Sequence, residues 1–157
     1  MKYRILTAEE LQPLENDLKA FLIVNGLDGD EWKKLNAEHP EKAVQVIAAF
    51  SDAVLQVVYE RLQFLEFRGP DNIMVFKVGK EMTEMISLQW PSDSAVDLST
   101  PEGIHSAILN NAGKIQWFAS EKPTGEDKEA AIHRMIGQGC IPSSEEFWNS
   151  LNESVKQ

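Results

Sequence analysis

Two stretches of this chain set a carboxylate and an imidazole at helical spacing. Glu102-Gly-Ile-His105 has the Glu-x-x-His pattern, and Glu129-Ala-Ala-Ile-His133 places a second acid and histidine one turn apart. Di-iron carboxylate bundles need two Glu-x-x-His motifs and two further glutamates, and only one such motif is present. Glu102 is also placed as the N3 partner of a helix cap at Ser99 or Thr100, and Glu129 with His133 is an ordinary surface pair beside Arg134. If the two pairs converged, the four side chains would hold one divalent metal. Nothing in the spacing forces the two helices together, so no metal and no cofactor is expected.

Cys140 is the single cysteine and follows a helix end, between Gly139 and Ile141. It is the one candidate nucleophile. Free cysteines usually behave as small buried hydrophobes, and Ile141-Pro142 beside it favours that reading. Gly137-Gln-Gly139 fits neither a dinucleotide fingerprint, since Pro142 takes the third glycine's place, nor a Walker loop, since no Gly-Lys-Ser/Thr follows. It reads as a helix stop. Asp28-Gly-Asp30-Glu31 gathers three acids without the spacing of a calcium loop, and helix capping accounts for it. The tryptophans Trp32, Trp90, Trp117 and Trp148 are mostly core candidates, with Trp90 and Trp117, on or beside the strands, the candidates for a binding rim.

The elements that would position these residues follow from periodicity. Thr7 and Glu10 make a capping box for a helix carrying Leu11, Leu14, Leu18, Phe21 and Leu22, bent at Pro13 and stopped at Gly26. A short helix with Trp32 and Leu35 inward precedes Pro40 to Leu62, a stretch apolar around most of its circumference and therefore read as the buried central helix. Strands follow over Leu62 to Arg68, Ile73 to Val78 and Met82 to Gln89. Gly69-Pro70-Asp71-Asn72 forms the first turn, and Gly79-Lys80 is read as a hairpin with glycine at its first central position. Then come a helix from about Pro101 to Ala112, a fourth strand over Lys114 to Ala119, a helix over Glu126 to Ile136, and a last helix capped by Ser143 with Glu146. The expectation is an α+β protein: an antiparallel sheet of three or four strands packed with a long buried helix and flanking helices, as one globular domain over residues 1–157.

Composition limits the function classes. The net charge is −10, from 15 basic and 25 acidic residues, with acids in excess along every part of the chain. Without a basic run it is a poor ligand for nucleic acid or an anionic membrane. No secretory signal and no membrane span are read from the sequence, and one cysteine excludes an internal disulfide, which suits the cytoplasm.

The run Met1-Lys-Tyr-Arg-Ile-Leu-Thr-Ala-Glu-Glu-Leu11, with Phe21-Leu-Ile-Val-Asn-Gly26, Phe50-Ser-Asp52 and Phe64-Leu-Glu-Phe-Arg68, resembles an uncharacterised family of small bacterial proteins. The resemblance covers the N-terminal half and implies a bacterial cytosolic protein, with no activity to carry over. The residues themselves favour a non-enzymatic interaction module whose partner is another protein or a copy of itself. The alternative is a small metal-binding or hydrolase-like protein using the Glu/His pairs or Cys140.

Overall fold

The computed structural model describes residues 2–90 and 115–155. The fold is α+β and folds as two compact units, Met1–Val58 and Tyr59–Gln157. The expected helix over residues 101–112, with Glu102 and His105, lies outside the described residues.

In the first unit the local signals act as the sequence implies. The Glu10 amide donates to Thr7 Oγ1 at 3.2 Å and the Thr7 amide donates to Glu10 Oε1 at 2.9 Å, completing the capping box of α1 (Ala8–Leu11). Pro13 breaks the helix. It sits in a 3-10 turn, Gln12–Leu14, that separates α1 from α2 (Glu15–Val24). The end of α2 is a Schellman motif, with Gly26 at φ +77°, its amide donating to Ile23 O, and the Leu27 amide donating to Leu22 O. Asp28 then caps α3 (Gly29–Glu38) through the Glu31 amide at 2.9 Å.

Helix α4 (Pro40–Arg61) starts at the proline as expected. The N-terminal segment is pinned to it by polar groups: the Lys2 and Tyr3 amides donate to Asp52 at 2.6 and 2.8 Å, and the Leu6 amide donates to Ser51 Oγ at 3.0 Å. The all-round burial expected of α4 does not hold. Ala43, Phe50, Ser51, Leu55 and Tyr59 are buried, whereas Val44, Val57 and Val58 are exposed. The buried positions fall at helical spacing, so α4 offers one stripe rather than its circumference. Among the described residues it is the one helix long and apolar enough to cross a membrane.

The second unit is built on an antiparallel sheet of five strands, not three or four. Strands β1 (Phe64–Arg68), β2 (Asn72–Val78) and β3 (Met82–Gln89) form the expected meander. β4 (Gln116–Pro123) runs beside β3 and continues four residues past the expected end, and β5 (Ile141–Pro142) pairs with β1, giving the order β4-β3-β2-β1-β5. Two residues are too few for an alternating pattern, and Ser120-Glu-Lys-Pro123 has no apolar side chain to signal a strand. Pro70 stands in the connection between β1 and β2, where the Gly69 amide donates to Asn72 O at 2.8 Å. In the next hairpin the glycine stands one position earlier than expected. The Gly79 amide donates to Met82 O at 2.9 Å, so Lys80 and Glu81 are central, and a Cβ on Gly79 would lie 2.7 Å from that same oxygen.

Register assigns the two faces. Phe64, Ile73, Val75, Ile86 and Leu88 share one face and meet Trp148 and Leu151 of the last helix, α6 (Glu145–Val155), in the main core. Its cap also moves by one residue: the Phe147 amide donates to Ser144 Oγ at 3.1 Å, while Ser143 gives its own amide to Phe64 O at 2.9 Å. The opposite face carries Phe67, Met74, Phe76 and Thr83, and over it lies α5 (Lys128–Gly137).

Candidate functional site

Between that second face and α5 is a cavity of about 310 Å³. Alternation along β1 and β2 supplies one wall, Phe67, Met74 and Phe76, because residues two apart in a strand point the same way. Helical spacing supplies the other. Ala131, Arg134, Met135 and Gln138 recur at i, i+3, i+4 and i+7 and so face one direction. The volume sits at the lower end of the range for small-molecule pockets, and the walls are mainly apolar with a few polar groups, the composition such pockets have.

Cys140 enters the cavity through the helix stop. α5 ends in a second Schellman motif: the Gly139 amide donates to Ile136 O and the Cys140 amide donates to Met135 O, both at 3.1 Å, with Gly139 at φ +109°. This turn folds the chain back so that Cys140 and Met135 line the same space. Glycine is required at residue 139 by the positive φ and by the Phe67 ring, whose Cε2 would stand 3.1 Å from an added Cβ. The thiol is buried, and burial pushes its pKa up, with the positive charge of Arg134 drawing it partly back. A thiol held protonated is a wall group rather than a nucleophile.

The polar groups have defined directions. Thr124 Oγ1 donates to Gly79 O at 2.8 Å and lies 2.9 Å from Thr83 Oγ1. A hydroxyl carries one proton, so Thr83 donates to Thr124 and both protons are committed. The charged donors of the lining are Lys122 and Arg134, and Arg134 Nε donates to Glu126 Oε1 at 2.8 Å.

The other residues singled out by their chemistry lie elsewhere. His133 is not part of the cavity lining, and its Nδ1 meets Tyr59 OH at 2.9 Å. Glu129 is half-buried on α5, also outside the lining, and among the described residues no three His, Cys, Asp or Glu side chains form a metal-binding group. Asp28 is used as a cap. Trp90 is 3% exposed, with its Nε1 buried and without a hydrogen-bond partner among the described residues; Trp117 is half-buried against the main core. The sheet aromatic that stands in solvent is Phe118, 61% exposed on β4. Of the residues singled out in the sequence, Cys140 lies in the cavity lining, and the walls around it were not singled out. The available signal was Arg134 and Gln138 falling on the same helical face as Ala131 and Met135.

The chain belongs to a family of unknown function, DUF6495, whose model matches residues 1–156, so the kinship spans nearly the whole chain rather than its N-terminal half. Comparison with curated proteins and with solved structures finds no match.

Proposed function

We propose that this member of DUF6495 binds a small ligand with an apolar body in the cavity between the sheet and α5, and does not transform it. The observation that carries this reading is the cavity itself: about 310 Å³ of space walled by Phe67, Met74, Phe76 and Met135. An apolar body seated against these walls leaves water together with them, which is the favourable term in such binding. The protonated state of Cys140 favours binding over covalent catalysis. Because Cys140 is the only cysteine, its reaction with a small thiol reagent reports on this one place. The expected outcome is that 1-octanol, a neutral apolar probe, slows the alkylation of Cys140 in a saturable way. An unchanged rate with 1-octanol and with charged probes of the same tail, up to their solubility limits, would contradict the reading.

A second reading, association with another protein chain or with a copy of this one, is favoured by Phe118. It stands exposed on β4, the strand that ends the sheet order among the described residues, and such edges invite pairing. Sedimentation of the protein and of its Phe118→Asp variant tests it. Association that the substitution abolishes supports this reading, and a monomer at all concentrations opposes self-association.

A further inference from the structure

The charges of the lining narrow the class of ligand. Lys122 comes from the sheet wall and Arg134 from the helix wall, and among the described residues that line the cavity there is no aspartate or glutamate. In a chain of net charge −10 the charged side chains of the described lining are both cationic, with Glu126 paired to Arg134 from outside it. Arginine has five N–H donors, and the Glu126 carboxylate takes the one on Nε, steadying the guanidinium while others remain for a ligand. Deeper in, Thr83 and Thr124 have both hydroxyl protons committed, to Thr124 Oγ1 and Gly79 O, so those groups offer a ligand only lone pairs. An anion buried there would meet acceptors. Beside Lys122 and Arg134 it meets charge-assisted donors.

Resting on the cavity-binding reading, we infer that the ligand is an amphipathic anion whose apolar body lies among Phe67, Met74, Phe76 and Met135 and whose carboxylate or phosphate head sits between Lys122 and Arg134. Orientation is then fixed by chemistry: the head stays with the two cations and the body takes the wall that excludes water.

The test titrates the full-length protein with four probes that share an eight-carbon tail, namely octanoate, octyl phosphate, 1-octanol and octylammonium. Occupancy is read as the slowing of Cys140 alkylation relative to the ligand-free rate of the same protein, which cancels any effect of a variant on the thiol itself. Octanoate or octyl phosphate is expected to bind at least about ten-fold more tightly than octanol, a factor worth about 1.4 kcal/mol. Octylammonium should bind most weakly, and whichever anion binds more tightly identifies the head group. In the Lys122→Met/Arg134→Met double variant the advantage of the anions over octanol should disappear. The charge-conserving Lys122→Arg variant should keep the advantage, and its loss there would contradict a role for charge. Equal affinity for octanol and both anions in the unaltered protein, or tighter binding of octylammonium, would overturn the inference and leave the cavity-binding reading standing. No protection by any of the four probes would overturn both.

Discussion

At Glu10 one carboxylate accepts from the Arg4 guanidinium at 2.7 and 2.8 Å and from the Thr7 amide at 2.9 Å. The Arg4 hydrogen bond, followed by that of Thr7, holds the Glu10 pKa down from 4.5 to about 2. A carboxylate depressed in the folded state stabilises it above the unfolded pKa, and that contribution is lost as pH falls from 4.5 toward 2. Glu10→Gln should therefore be less stable than the parent at neutral pH, with the gap closing across that window. Denaturation at a series of pH values checks it, and a gap independent of pH would contradict the assignment. The Thr7–Glu10 box was legible because both partners lie within one turn. The second box, read at Ser143, was not, since the Ser143 amide is drawn away to Phe64 O and the helix begins one residue later under the Ser144 cap. Long-range pairing overrode a local signal that looked the same.

The elements divide along similar lines. The meander was legible because β1, β2 and β3 alternate and their turns carry glycine and proline, while β5 is two residues whose strand character comes only from pairing with β1. Helix α4 was placed correctly, but its apolar content overstated its burial: composition counts apolar side chains and does not count the surfaces available to cover them. Phe50 lies on the buried stripe, 3% exposed, with its ring 5.4 Å from that of Phe21. Phe50→Ala is expected to cost about 3–5 kcal/mol, as the loss of a large buried aromatic does. Val57→Ala, at an exposed position of the same helix, should change stability by less than about 0.5 kcal/mol. Chemical denaturation of the two variants checks this contrast. Similar losses at both positions would mean that α4 is covered all round after all.

In the second unit the cavity joins side chains that the chain holds far apart in sequence: Phe67 and Met74 on the meander, Lys122 on β4, and Arg134, Met135 and Cys140 at the end of α5. No spacing rule relates residue 67 to residue 140. They meet because β5 pairs with β1 just after the Gly139 turn, and that turn sets Cys140 beside Met135 and Gly139 against the Phe67 ring. A single thiol was visible from the sequence, and its setting was a product of the sheet. The most direct test of that setting uses the methionines. Met74 and Met135 line the cavity, whereas Met82 is exposed outside its lining, on the face of β3 that carries Ile86 and Leu88. With ¹³C-labelled methionine methyl groups and 1-octanol as the probe, titration should shift the Met74 and Met135 resonances together along one binding curve and leave Met82 in place. Shifts confined to Met82, or no saturable shift at Met74 and Met135, would contradict the cavity as the binding site.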